Sequence, residues 1–372
     1  MQGNQDTEGK NSWLMKVTVT KFLNVRAGRP SVNAPSYQQL APGSELEVDG
    51  TLYKGDANDG IDTWFKDAAG NYYWSGGVES ADTQTVLQAP ENTQPTDPVD
   101  YRKYIKVQGP MPGENGAQIR IAVLDTGMNV SHTDINRSNI FLGEIHNSWA
   151  EIEDHSGHGS SICGLLCADS QTGDGITGLV PSASLSIFKV LNDDLSVNVG
   201  KIADAIRSIV LAGNYDLINM SFNVTEQDFN TIQSDLETLS NGGTIMVAAA
   251  GNGEFLATRS FYPAISSSVI SVGTIDDNSL QLFKSNGFYK SVDFFFLNEK
   301  LKSLSYNSNG YSTIGACSAY TAIVTGLVAR LVSSAPPKSE RFGFIASQLN
   351  SLASLFGNID NLTPGCLYKT LK

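Results

Sequence analysis

Four histidines stand in the 372-residue chain, His132, His146, His155 and His158. A general base working near neutral pH is drawn first from such a set. His158 lies in HSGHGSSICGLLC, with a glycine on either side and a helical pattern after it, so it opens a helix with room for a neighbour to approach. Asp125 closes the apolar run IRIAVLD, which puts an acid at the carboxyl edge of a buried strand. Asn252 follows TIMVAAAG and precedes another glycine. An amide donor in such a turn can bind a developing oxyanion. In GYSTIGACSAYTAIVTGLVARLV two nucleophiles, Cys317 and Ser318, stand side by side where a helix begins, and the local sequence does not choose between them. Taken singly, each position also has a plainer reading, as surface histidine or turn-forming Asp and Asn. Together they can carry base-assisted nucleophilic attack with a stabilised oxyanion.

The elements that must position these residues fall in two parts. Residues 13–80 alternate in WLMKVTVTKFLNVR and SELEVDGTLYKG and carry two aromatic runs in TWFKDAAGNYYWSG, with Gly, Asn, Asp and Pro between. Short strands with such turns predict a small all-β barrel. LQAPENTQPTDPVD, rich in Pro, Thr, Asn and acids, reads as an extended linker. From about residue 118, IRIAVL, SLSIFKV, DLINMS, TIMVAAA and VISVG are short, apolar and do not alternate, as expected of parallel strands buried on both faces. Helical stretches at about 158–168, 199–213, 226–241 and 318–334 separate them. This alternation predicts an α/β fold with right-handed crossovers, whose sites form at the carboxyl ends of strands and the starts of helices. The expected domains are 12–84, a linker at 85–115, and 116–372.

The composition, 41% hydrophobic and 17% charged, suits a folded core, and the net charge of −13 argues against nucleic acid or an anionic membrane as partner. No apolar run is long enough for a membrane span, and no basic-then-apolar leader opens the chain. Four cysteines are too few for a disulfide scaffold, and Cys163 and Cys167 lie four apart in one helical stretch. The expected location is therefore cytoplasmic or otherwise reducing. A polar start trimmed of a leader would instead suit a secreted or surface-tethered protein.

IAVLDTGMNVSHTDI, HGSSICGLL, GLVPSASLSIFKVLN, DLINMSF, VAAAGN and ACSAYTAIVTG resemble, in the same order, the signature blocks of the subtilisin-like serine proteases, over about residues 115–335. The resemblance implies a doubly wound, mostly parallel sheet with helices on both faces. It implies an endopeptidase in which Asp125 orients the imidazole, His158 is the base and Asn252 supplies the oxyanion-hole amide. The family's serine block reads Gly-Thr-Ser-Met-Ala-Ser-Pro-His-Val-Ala-Gly, with the closing glycine eight residues after the serine. Counting back eight from Gly326 gives Ser318, which leaves Cys317 in the place of the family's threonine. The block departs from the family: Ala316 replaces glycine, and Ala319, Tyr320 and Ala322 replace Met, Ala and Pro. A cysteine nucleophile, an inactive peptide-binding module and a peptide transacylase on the same triad are the alternatives.

The family binds peptide as an added strand with a P1 pocket beside the oxyanion loop. Here the edges would be Leu195–Val197 and Ser221–Val224, and the pocket walls Ser221, Phe222, Asn223 and Ala249, Ala250, Gly251. Phe261 falls at the pocket floor, where the family often has a small residue, which predicts small P1 side chains; the alternative points Phe261 into the core. The chemistry requires no cofactor. Calcium is common in the family, but ADSQTGDGITG has two acids and two threonines without the acid count of a tight oxygen cage, and no Cys/His spacing suggests zinc. The N-terminal part resembles a bacterial SH3-like (SH3b) domain in VTVTKFLNVRAGRPS and GNYYWSGGVES, which implies a peptide or cell-wall ligand and a targeting or regulatory role. Trp64, Phe65, Tyr72, Tyr73 and Trp74 would line its groove or fill its core.

Overall fold

The computed structural model describes residues 15–355 except 28, 33, 35, 68–70, 80–85, 89–98, 114, 171–174, 253–260 and 276–291, together with 366–369. Two compact units divide the chain at residues 93 and 94.

The first unit holds β1 (Met15–Val19), β2 (Leu23–Ala27), β3 (Ser36–Leu40), β4 (Glu45–Val48), β5 (Leu52–Asn58), β6 (Ile61–Lys66), β7 (Asn71–Trp74), β8 (Val78–Glu79) and β9 (Val86–Gln88). The described strands form two small sheets, ordered β4-β1-β8 and β3-β2-β7-β6-β5-β9, antiparallel except for the β5–β9 pair. Trp64 pairs with Trp74 and Phe65 with Tyr73 across β6 and β7. Trp64, Phe65, Tyr72, Tyr73 and Trp74 are all buried with Val17, Leu23, Val25 and Val48. They are core and do not line an open groove. So small a unit needs this aromatic area to close a core.

The second unit begins with β10 (Val99–Asp100) and α1 (Tyr101–Tyr104), inside the stretch expected as linker. Val99 and Asp100 pair with β13 (Ile176–Thr177), and Tyr101 is fully buried. The main sheet adds β11 (Arg120–Asp125), β12 (Ile140–Leu142), β14 (Ser184–Lys189), β15 (Leu217–Met220), β16 (Ile245–Asn252), β17 (Val269–Ile275), β18 (Phe294–Leu297), β21 (Ser354–Leu355) and β22 (Tyr368–Lys369), in the order β12-β14-β11-β15-β16-β17-β18-β22-β21. Every pair from β12 to β18 is parallel; β22 joins β18 antiparallel. A separate hairpin joins β19 (Leu301–Leu304) to β20 (Tyr311–Ile314).

The helices are α2 (His158–Cys167), α3 (Val199–Ala212), α4 (Glu226–Phe229), α5 (Gln233–Asn241), α6 (Ala316–Val332) and α7 (Arg341–Leu352). The stretch expected as one helix over 226–241 is two, broken at residues 230–232. α3 buries one stripe, Ile202, Ala205, Ile206 and Ile209, as a surface helix should. α2 and α6 are apolar nearly all round and lie in the interior, packed on each other, with α6 also against β15, β16 and β17. Both central helices therefore begin at the carboxyl ends of parallel strands.

Arg330 of α6 is buried without a carboxylate partner within ion-pair distance among the described residues. Its guanidinium donates to the carbonyls of Pro112 at 2.8 Å, Leu179 at 2.9 Å and Gly113 at 3.0 Å. It thereby ties the segment after α1 to the central helix. Arg330→Ala strands three carbonyls and should cost about 3 kcal/mol, read as a lower urea midpoint with an unchanged slope. An unaltered midpoint would show that the clamp is dispensable.

Candidate active site

Asp125 is the last residue of β11 and His158 the first of α2. Close approach of their two backbones brings them together. A Cβ at Gly159 would stand 2.1 Å from the carbonyl oxygen of Gly127, so only glycine lets α2 start this near the end of β11. His158 Nδ1 then lies 2.7 Å from Asp125 Oδ1. A carboxylate only accepts, so Nδ1 carries the proton and Nε2 is the basic nitrogen. Nε2 makes no hydrogen bond among the described residues. Burial opposes charging the ring, but the adjacent Asp125 carboxylate outweighs it, helped by Asp154, and the pKa of His158 is raised above 6.5.

The other histidines are engaged or exposed. His132 is buried, with Nε2 on the Gly310 carbonyl at 2.8 Å and Nδ1 accepting from Asp134 N at 3.0 Å. His146 Nε2 accepts from Lys189 N at 2.9 Å, and burial lowers its pKa. His155 is exposed.

Asp154 and Thr126 were not singled out in the sequence, though an acid four residues before His158 was its only signal. Asp154 is buried and accepts from Thr126 Oγ1, Ser156 N, Gly157 N, Ser160 N and Ser160 Oγ, all at 2.6–2.9 Å. It caps α2 in place of Gly157, which has no side chain to do so. Thr126 Oγ1 in turn accepts from Gly159 N at 2.9 Å, and Thr126 N donates to Asp125 Oδ1 at 2.7 Å.

Ser318 and Cys317 sit in the first turn of α6 and point to different places. Cys317 is 1% exposed, with Sγ 2.6 Å from the carbonyl oxygen of Val272 in β17. Burial pushes its thiol up to about 12, so it holds its proton and packs as core. Ser318 is partly exposed. Its Oγ donates to the Ser221 carbonyl at 3.2 Å, Ser221 Oγ donates to the Ser318 carbonyl at 3.1 Å, and Ser318 makes no hydrogen bond to His158. Asn219 Nδ2 fixes Ser221 Oγ at 3.0 Å, and Thr325 Oγ1 fixes Asn219 Oδ1 at 2.9 Å. The end of β15 is thus bonded to the start of α6.

Asn252 ends β16; its side chain lies outside the described residues. Ala249, Ala250 and Gly251 precede it, opposite Ser221, Phe222 and Asn223, because Met220 of β15 pairs with Ala248 of β16. Val224 pairs antiparallel with Tyr262, and its N donates to the Tyr262 carbonyl at 2.8 Å. Phe261 is half-buried and covers Gly251, where an added Cβ would come within 3.0 Å of its ring carbons. The carbonyl oxygen of the Asn223 side chain is buried without a partner among the described residues. On the other expected edge, Val197 folds back onto Leu191. Among the described residues no three His, Cys, Asp or Glu side chains converge as a metal site would need, and residues 171–174 of the loop weighed for calcium lie outside them.

Titrating the His158 ring by NMR should give a midpoint above 6.5. Asp125→Asn should bring it below that value, because burial then acts with its main opponent gone. A midpoint unmoved by the substitution would mean that the 2.7 Å pairing does not set the base.

The description "Subtilase family" fits residues 116–348. The chain is 29% identical over 259 residues to Subtilisin DY of Bacillus licheniformis, covering 66% of this chain and 87% of that one. It is 30% identical over 230 residues to the major intracellular serine protease of Bacillus subtilis, covering 59% and 70%. The solved structure of Sphericase superposes with a TM-score of 0.53 at 26% identity, over 70% of this chain and 86% of that one.

Proposed function

Because the chain belongs to the subtilase family of serine endopeptidases, we propose that Asp125, His158 and Ser318 form its triad, with Asn252 and the Ser318 N–H as the oxyanion hole. The observation that carries this reading is the 2.7 Å bond that His158 Nδ1 donates to a fully buried Asp125, the second ring nitrogen having no partner among the described residues. In the reaction Ser318 Oγ exchanges the Ser221 carbonyl for His158 Nε2 as substrate enters, since such bonds often form only in the complex. His158 takes the hydroxyl proton as Oγ attacks the scissile carbonyl. Asp125 keeps the ring oriented and stabilises the imidazolium. The negative oxygen meets the Ser318 N–H at the N-terminus of α6, where the helix dipole favours it. His158 then protonates the leaving amine, and water repeats the sequence to release the acyl group. Apart from the attacking water, these steps use groups of the protein.

A fluorophosphonate probe should label Ser318, as located by peptide mass mapping, and His158→Ala should abolish the adduct. Labelling of Cys317 instead, or hydrolysis surviving Ser318→Ala, would overturn the assignment.

The substrate is a peptide or protein laid along Ser221–Val224. Phe261 against Gly251 fills the floor of the P1 pocket, leaving room for Ala, Gly or Ser. We read the N-terminal β unit as an SH3-like module with a targeting or regulatory role, a reading supported by the sequence blocks VTVTKFLNVRAGRPS and GNYYWSGGVES. We place the protein in a reducing compartment, a reading supported by its buried Cys163, Cys167 and Cys317 and by the relative named for its intracellular location. In a peptide library the wild type should favour small P1 residues, and Phe261→Gly should raise kcat/KM for Phe and Leu at P1 by about 10-fold or more. A wild-type preference for Phe or Leu would exclude the blocked pocket.

A further inference from the structure

The turn that presents Ser318 is strained. Ala316, the first residue of α6, has φ +61°, in the left-handed region that favours glycine. Asp and Asn hold that conformation with their own polar side chains; alanine has none. Its N–H is also one of the helix-terminal donors that lack an intrahelical acceptor. The preceding residue, Gly315, cannot cap it.

The acceptor comes from 18 residues upstream. Asn298 Oδ1 accepts from Ala316 N at 2.7 Å. The Asn298–Glu299 segment is itself fixed at three points. Its N donates to the Ile275 carbonyl, at the end of β17, at 2.6 Å. The next residue, Glu299, donates its N–H to the Tyr320 hydroxyl at 3.1 Å, on the turn of α6 that follows Ser318. The Glu299 carboxylate accepts from the hydroxyl of Tyr104 in α1. Gly315 allows the approach, since a Cβ there would stand 3.0 Å from the Glu299 carbonyl oxygen. Tyr320, bulky where the resemblance led one to expect alanine, is fully buried and stacked on Phe296 with ring centroids 4.7 Å apart.

We propose that Asn298 is a positioning residue for the nucleophile, a remote cap that holds Ala316 in its left-handed conformation and so aims Ser318 and its N–H into the cleft. The proposal rests on the reading of Ser318 as nucleophile. The chain carries alanine where that turn favours glycine, and Asn298 supplies the restraint that alanine requires. Freed of Asn298, Ala316 relaxes toward negative φ and swings the two residues after it. Glycine at 316 needs no such restraint.

The test uses the full chain, the rate of fluorophosphonate labelling at Ser318, and kcat and KM on a chromogenic peptide with alanine at P1. A wild-type adduct on Ser318 secures the underlying reading; an adduct elsewhere removes it and this proposal with it. Given that adduct, Asn298→Ala should slow labelling and lower kcat by about 10-fold with KM within about twofold, the pattern of lost alignment rather than lost binding. The double variant Asn298→Ala with Ala316→Gly should recover most of that loss, which a merely structural asparagine would not allow. Full activity in Asn298→Ala overturns the proposal. So does a double variant no better than the single one, in rate or in folding.

Discussion

The structure of the second unit turns on a carboxylate that has no access to water. Asp125 is 0% exposed. An isolated ion in such a place costs several kcal/mol unless bonds replace its hydration. Thr126 N and His158 Nδ1 supply two, both at 2.7 Å and both to Oδ1, while Oδ2 is buried with no hydrogen-bond partner among the described residues. A second buried acid, Asp154, holds the other side of the same junction with five donors, and Thr126 Oγ1 bridges the two layers. Neither acid can shift without stranding the other's donors, so the base has little freedom of orientation. The same field that fixes His158 also raises its affinity for the proton.

A turn of helix separates the two adjacent side chains Cys317 and Ser318. Successive residues on α6 point about 100° apart. That rotation sends Cys317 into the sheet against Val272 and leaves Ser318 toward the cleft and Ser221. Burial keeps the Cys317 thiol protonated, while the Ser318 hydroxyl is partly exposed and bonded to the Ser221 carbonyl. Two reactive side chains can therefore be neighbours in sequence without competing.

Much of this was legible in the sequence. The apolar runs ending at Asp125, Met220 and Asn252 gave the parallel strands, because burial on both faces removes alternation. The glycines around His158 marked a helix start with a close neighbour. Ser318 emerged only by counting to Gly326, a spacing that a buried helix cannot change. Other features left no local signal. Asp154 holds Thr126, Ser156, Gly157 and Ser160 through both carboxylate oxygens, Asn298 accepts from Ala316, 18 positions away, through one amide oxygen, and nothing in a one-dimensional pattern distinguishes such an acceptor from a solvated one. The break at residues 230–232 was missed because α4 and α5 share one amphipathic stretch. Residues 99–113 read as linker because their anchors, Tyr101 and the carbonyls held by Arg330, meet partners some 200 positions later.

That last stretch separates two meanings of a domain boundary. By composition the proline-rich connection runs on past Val99; by energy the second unit has already begun there. Tyr101 is buried with its hydroxyl on the Lys302 carbonyl, Ile105 lies in the core, and Gln108 N donates to the Leu352 carbonyl at 2.8 Å. A peptidase that processes its own chain, or is processed by another, can shed its N-terminal unit without removing packed residues of the second only by a cut ahead of Val99. A cut a dozen residues later would detach a piece of its own interior, and the same bond cleavage would turn from maturation into inactivation.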